Sequence, residues 1–157
     1  MIHLLEKIIK SVKWWWIPVM LGVFAGVSAF TFYYAEGGSY FADDPRACKN
    51  CHIMREQFDA WNRSSHKSVA TCNSCHTPKN VVGKYAVKAV NGWNHSVAFT
   101  TGIFHEPLQI KGFNRTVVEN NCIRCHHEVL NRMIKNSRNE TPDCTSCHGN
   151  VGHKTRK

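Results

Sequence analysis

The pattern Cys-x-x-Cys-His occurs four times, at Cys48–His52, Cys72–His76, Cys122–His126 and Cys144–His148, and the four copies use all eight cysteines of the chain. This is the attachment pattern of a c-type haem: two thiols add covalently to the haem vinyl groups, and the adjacent histidine is placed beneath the iron. The expected thioether pairs are Cys48 with Cys51, Cys72 with Cys75, Cys122 with Cys125, and Cys144 with Cys147. Four copies with no cysteine left over leave chance little room. Zinc sites also use paired Cys-x-x-Cys units, but zinc does not explain a histidine after the second cysteine every time. Disulfide frameworks do not repeat one spacing four times. A thioredoxin-like redox pair needs one Cys-x-x-Cys in a βαβ setting, and no such setting is visible.

Four haems constrain the fold severely. The chain has 157 residues, enough for one domain, and residues 36–157 would carry about one haem per 30 residues. That leaves too little side-chain volume for an ordinary apolar core, so the haem faces must act as the core. The expected fold is mainly α with much irregular structure, short helices and loops wrapped around porphyrin, and almost no sheet. The formal charge of +9 and pI near 9.3 raise the question of nucleic acid or anionic lipid. Four haems bring about eight propionate charges and nearly neutralise that excess. With no recognition motif present, nucleic acid is not an expected partner.

Trp14 to Ala35 is a run of 22 residues without a charge, long enough to cross a hydrocarbon core. Trp14, Trp15 and Trp16 mark one interface, and Phe32, Tyr33 and Tyr34 the other. Lys7, Lys10 and Lys13 precede the run, whereas Glu36, Asp43 and Asp44 follow it. The positive-inside rule then places residues 1–13 in the cytoplasm and residues 36–157 in the periplasm of a single-pass bacterial inner-membrane protein. A cleaved signal peptide is the rival reading, but the run exceeds the usual apolar region and no small-x-small site follows it. This orientation agrees with c-type haems, which are attached on the periplasmic side. Gly22 and Gly26 have a spacing that packs two helices closely, as a homodimer would, although simple tolerance of small residues is the plainer explanation.

Within the head, Cys48 and Cys72 are 24 residues apart, and Cys122 and Cys144 are 22 apart. The spacing suggests two di-haem modules, about 45–77 and 119–153, joined by a segment of about 78–118. Gly37, Gly38 and Asp43-Asp44-Pro45 read as a linker from the anchor. In the joining segment Val81, Lys84, Tyr85, Lys88 and Val90 fit a helix, followed by Trp93, Val97, Phe99 and Phe104. Aromatics interleaved with Lys and His suit a helix lying on a membrane surface; an amphipathic helix packed on haem is the alternative. Thr116 is placed to cap a helix running to about Lys135, with Glu119 at the capping-box position.

The motif histidines His52, His76, His126 and His148 are the default proximal ligands. His3 lies before the anchor, and His127 adjoins a motif histidine. His66, His95, His105 and His153 remain as second ligands. Met54 follows His52 by two residues, giving Cys-x-x-Cys-His-x-Met; thioether sulfur is an established haem ligand, and core filling is its ordinary role.

An anchor, the first site Cys48-x-x-Cys-His-x-Met54 and four haem motifs in so short a chain resemble the NapC/NirT/NrfH family of membrane quinol dehydrogenases, in particular the compact form that serves as small subunit of cytochrome c nitrite reductase. The resemblance implies four covalent haems c, menaquinol or another quinol as substrate, contact with the lipid and quinone pool, and a periplasmic multihaem nitrite reductase as partner. It implies that Met54 ligates the first haem, so that His52 need not. It assigns His66 to the fourth haem and His153 to the third. It leaves the second haem with His76 plus a ligand from the partner or His105. Lys88 and His95 match a quinol-pocket spacing of seven residues, and both then face one way on a helix. His95 is left open between iron ligand and proton acceptor. Donation to another periplasmic reductase (nitrate, trimethylamine N-oxide), a tethered electron carrier without quinol chemistry, and a terminal reductase with its own open haem are the alternatives.

Overall fold

The computed structural model describes Lys7, residues 14–134 and residues 143–153. His3, Lys10 and Lys13 of the expected cytoplasmic arm, and the expected helix end at Lys135, lie outside the described residues. The chain divides into two units, Met1–Phe41 and Ala42–Lys157. Every regular element among the described residues is helical, as the haem-dominated composition requires.

The first unit contains α1, Trp16–Tyr34, uncharged throughout and without a buried residue. Among the described residues it is the one helix long and apolar enough to cross a membrane. Pro18 falls in its first turn, where the missing N–H would have no helical partner anyway. Phe30 and Tyr34 stack one turn apart, with ring centres 5.9 Å from each other. A β-carbon at Gly22 or Gly26 would meet nothing within 4 Å. The glycines after α1 do more than link: Gly37–Phe41 is a 3-10 helix, and a β-carbon at Gly37 would collide with the Phe32 ring.

In the second unit, α2 spans Pro45–Cys48. Its Asp44 N-cap accepts from the Arg46 N–H at 2.8 Å, and Pro45 opens the first turn, where proline is pre-set for a helix. The Asp-Asp-Pro run expected as linker is therefore a helix start. A 3-10 turn, His52–Met54, leads into α3, Arg55–Asn62. Helix α4 is Cys72–His76, started by a reciprocal capping box between Thr71 and Ser74. Helix α5 is Val81–Thr101. Asn80 caps it by accepting from the Gly83 N–H, and Gly102 ends it in the left-handed conformation at φ 68°, which favours glycine. Helix α6 is Gly112–Ile134, kinked at His126, and α7 is Cys144–Cys147.

Helix α6 starts before the expected cap. Thr116 lies inside it and donates to the Gly112 carbonyl at 3.2 Å, one turn back. Glu119 caps a different helix: its carboxylate accepts from the backbone N–H groups of Cys144 at 2.8 Å and Thr145 at 2.9 Å.

Packing runs between the expected modules. Asn121 on α6 is only 7 % exposed and donates to the carbonyls of Cys75 at 2.8 Å and Thr77 at 3.0 Å. Arg124 adds a bond to the Ser74 carbonyl at 3.2 Å. The second and third motifs are thus held together by polar contacts, and α6 begins inside the segment expected to join the modules. Asn91 and Asn114 exchange amide bonds of 3.1 and 2.9 Å, tying α5 to α6. Among the described residues Val87 is the one buried hydrophobic, and no side chain is fully buried. The polypeptide packs almost no core of its own, which fits a head organised around large apolar groups.

Candidate haem sites and the face beside the first of them

Each attachment motif occupies a short helical element. In α4 and α7 the two cysteines, Cys72 with Cys75 and Cys144 with Cys147, stand at the ends of a single turn with the histidine beside it, so both sulfurs lie on one side. In α6, Cys122 and Cys125 are likewise one turn apart, and the motif ends at His126, whose φ of −105° and ψ of 17° break the helix. The first motif is different. Cys48 ends α2, Cys51 is extended at ψ 115°, and His52 opens a 3-10 turn that ends on half-buried Met54.

The eight thiols share one pattern of exposure. The first cysteine of every motif, Cys48, Cys72, Cys122 and Cys144, is half-buried; of the second cysteines, Cys51, Cys125 and Cys147 are exposed and Cys75 is half-buried. None of them is in a disulfide, so all eight, Cys125 included, are free thiols as thioether attachment requires. Exposed Cys51, Cys125 and Cys147 lack a protein surface to pack on, which fits sulfurs meant to be covered by porphyrin. The described residues hold no group of three or more His, Cys, Asp or Glu placed to bind one metal ion, which a zinc site of that kind needs.

The motifs adjoin in chain order. Cys48 and Cys72, the first cysteines of the first two motifs, share a hydrogen bond. The second and third are joined through Asn121, and Cys125 of the third stands close enough to Cys75 of the second for its charge, after desolvation, to raise the Cys75 thiol. The third and fourth are joined through Glu119, which sits one turn before Cys122 and caps α7.

The histidines form two facing pairs. His76 and His153 have ring centres 6.0 Å apart with planes within 10° of parallel. His66 and His126 have centres 6.1 Å apart with planes at 67°. Two imidazoles on opposite sides of one metal, each about 2.0 Å from it, have ring centres separated by roughly 6 Å. Desolvation, with the charge of His153, holds His76 down to about 4, and desolvation also holds His153 low; both are then neutral near pH 7, the form that binds metal. The Nδ1 of His153 is buried without a hydrogen-bond partner. The Nδ1 of His66 lies 3.2 Å from the Val151 carbonyl, a contact that puts the proton there and leaves Nε2 as donor to a metal. These residues fit axial ligation of haem iron.

This pairing differs from the one implied by resemblance, which gave His153 to the third haem and His66 to the fourth. The α4–α6 packing sets the second and third motifs side by side, and the segment after α7 returns to both. Val151 meets His66, and His153 meets His76. His105, the alternative ligand for the second haem, is exposed and faces no motif histidine among the described residues. His148 is exposed as well, and no second histidine faces it among the described residues. His127 bonds its own turn, with Nδ1 3.1 Å from the Arg124 carbonyl.

Lys88 and His95 lie on α5, seven residues apart. Lys88 reaches back to the first motif. Its side chain is 11 % exposed, 4.0 Å from the Asp43 carboxylate, and donates to the Ala42 carbonyl at 3.0 Å. A hydrogen bond with Cys72 and the Lys88 charge both lower the Cys48 thiol, so the ammonium stands near the first attachment site. Desolvation pulls the Lys88 pKa below the ordinary lysine range while Asp43 opposes the fall. Burial and the neighbouring Lys111 charge lower His95. Along α5 and the chain after it Val82, Trp93, Phe99 and Ile103 are exposed.

Sequence reasoning missed four positions: Asp43, which links Lys84 and Lys88 to Asn73; Asn73; Glu119 as cap of α7; and Asn121. For Asn73 the signal was its place inside the second motif. For Glu119 and Asn121 it was polarity on the motif-bearing stretch of α6.

The helical fold and the repeated attachment motifs define a c-type cytochrome with covalently bound haem and one membrane-length helix. The chain belongs to the NapC/NirT cytochrome c family, whose N-terminal region it matches over residues 9–157. It is 36 % identical over 146 residues to the cytochrome c-type protein NrfH of Wolinella succinogenes, covering 86 % of this chain and 82 % of that one. It is 30 % identical over 120 residues to the cytochrome c nitrite reductase subunit NrfH of Nitratidesulfovibrio vulgaris, covering 76 % and 74 %. Its fold is similar to a chain in the crystal structure of the cytochrome c nitrite reductase NrfHA complex bound to the HQNO inhibitor, with a TM-score of 0.59, 28 % identity, and 85 % and 88 % of the two chains covered.

Proposed function

We propose that this chain is the membrane-anchored subunit of a respiratory nitrite reductase complex, which takes electrons from quinol and delivers them to a periplasmic catalytic subunit. Two relatives named as NrfH, one of them as a nitrite reductase subunit, support the partner. The observation that carries the quinol reading is Lys88, largely covered and beside Cys48 of the first motif, on the same helix as His95 and an exposed apolar set.

Four haems c are held, in this reading, by the eight motif cysteines: Cys48 and Cys51, Cys72 and Cys75, Cys122 and Cys125, Cys144 and Cys147. Met54 ligates the first iron, His76 with His153 the second, His126 with His66 the third, and His148 the fourth. When bound, the haems supply a row of one-electron acceptors. The chain's own residues do the rest. Lys88 donates a hydrogen bond to a quinol oxygen. His95, neutral near pH 7, takes the two protons of the quinol one at a time, releasing the first to solvent before the second, while the two electrons leave singly to the haems. Trp93, Phe99 and Ile103 seat this face on the lipid from which quinol arrives. In this reading residues 1–13 lie in the cytoplasm and the head in the periplasm. The fourth site, with His148 exposed, is the handover point to the partner.

The test is Lys88→Met in the intact holoprotein. Reduction by a menaquinol analogue should fall at least tenfold while reduction by dithionite is unchanged. Full quinol-dependent reduction in this variant would remove the quinol site. Co-purification after mild detergent extraction checks the partner: a multihaem nitrite reductase is the expected companion, and a nitrate or trimethylamine N-oxide reductase would redirect the assignment.

A further inference from the structure

Lys84 and Lys88 stand one turn apart on α5, and both turn toward a single carboxylate outside that helix. Lys84 Nζ is 2.5 Å from Asp43 Oδ2, and Lys88 Nζ is 4.0 Å from Asp43 Oδ1. Asp43 is also fixed from a third side. The Asn73 amide, inside the second attachment motif, donates to Asp43 Oδ1 at 2.7 Å and to the Ala42 carbonyl at 3.1 Å. The same Ala42 carbonyl accepts from Lys88 at 3.0 Å. Two adjacent residues thus bind the lysine and are themselves bound to the second motif. Both lysines are largely covered, with side chains 20 % and 11 % exposed, so they repel one another across less solvent than a surface pair would.

We propose that Asp43 is a positioning residue of the quinol face: oriented by Asn73 and shared with Lys84, it keeps Lys88 charged and fixed beside the first haem site. The inference rests on the quinol-site reading given above and adds to it the group that prepares the lysine. Desolvation and a second cation pull an ammonium toward its neutral form, and a neighbouring carboxylate opposes that pull. A neutral Lys88 would give quinol a weaker, uncharged donor. Asp43 is a poor proton acceptor itself, because the Lys84 and Asn73 hydrogen bonds hold its carboxyl low; its contribution is charge and geometry. The groups facing Lys88 include Asp43 from the loop, Lys84 and the Tyr85 ring at 5.9 Å from its own helix, and Cys48 from the first motif. Cys48 becomes a thioether in the holoprotein and no longer titrates. Of these groups, Asp43 is then the anion.

The experiment uses the detergent-solubilised holoprotein and a menaquinol analogue under anaerobic conditions, with haem content and the dithionite-reduced spectrum measured in parallel. Asp43→Asn should raise KM for the quinol about three- to tenfold, with kcat changed less. It should move the alkaline limb of the activity profile down by about one pH unit. Asp43→Glu should recover most of both. If Asp43→Asn fails to assemble, Lys84→Met gives the same answer with opposite sign, moving the alkaline limb up. An unmoved KM and limb in Asp43→Asn, or an unmoved limb in Lys84→Met, overturns the proposal, provided Lys88→Met has lost quinol oxidation. If Lys88→Met keeps it, the quinol-site reading itself has failed and takes this inference with it.

Discussion

Replacing Glu119 by glutamine should loosen the fourth attachment site in a pH-dependent way. The carboxylate accepts hydrogen bonds from the Cys144 N–H at 2.8 Å, the Thr145 N–H at 2.9 Å and the Thr145 hydroxyl at 2.6 Å, and a fourth from the Cys144 thiol, which is lost when that sulfur becomes a thioether. Burial raises its pKa, but these bonds outweigh burial and hold the carboxyl down to about 2, against 4.5 for an unperturbed glutamate. At 1.36 kcal/mol per pH unit that difference is worth roughly 3 kcal/mol. The side chain is reached by solvent, and screening reduces this to about 1–2 kcal/mol. Because the folded pKa is depressed, the stabilisation is complete above pH 4.5 and is lost as the pH falls through the acid range toward 2. Glutamine removes the charge and turns one oxygen, an acceptor, into a donor facing N–H groups. Urea unfolding of the holoprotein reads the effect: at a slope of about 1–3 kcal/mol per molar urea, the pH 7 midpoint should drop by about 0.5–1 M. The gap between wild type and Glu119→Gln should narrow as pH is lowered from 5 toward 2. A gap that is absent at pH 7, or the same at pH 7 and pH 2.5, would mean that the Glu119 charge does not hold the fourth motif.

Asn121→Ala leaves the Cys75 and Thr77 carbonyls without their buried donor and should cost about 2–3 kcal/mol, seen as a lower urea midpoint with no pH dependence. Asn121→Asp should be worse at neutral pH and recover partly in acid, where the carboxyl regains a proton to donate. His153→Ala and His76→Ala should abolish the same low-spin signal in paramagnetic resonance, and His66→Ala and His126→Ala another. If His153→Ala instead abolished the signal lost in His126→Ala, the facing pairs would not be ligand pairs.

Much of this molecule was legible because covalent chemistry fixes sequence spacing. A haem needs its two sulfurs and histidine in one local element, so the four motifs could be read one at a time, and the uncharged run from Trp14 to Ala35 needed no tertiary information either. What connects the sites was not legible, because those contacts span 25 to 85 residues and use ordinary polar side chains. Glu119 shows the difficulty well. Three residues after a threonine it matches a local capping box, and only the approach of α7 reveals that its carboxylate serves Cys144 and Thr145 instead. Which histidines face one another meets the same limit. His66 and His153 were recognisable as candidates, but which motif each faces depends on α6 lying against α4, and that packing is set by Asn121 and Arg124. With so little apolar core, single polar contacts carry the relative placement of the motifs. The spacing of the sites, on which electron transfer depends, is therefore written in residues such as Asn121, Glu119 and Asn73, and only the identity of each site is written in its cysteines.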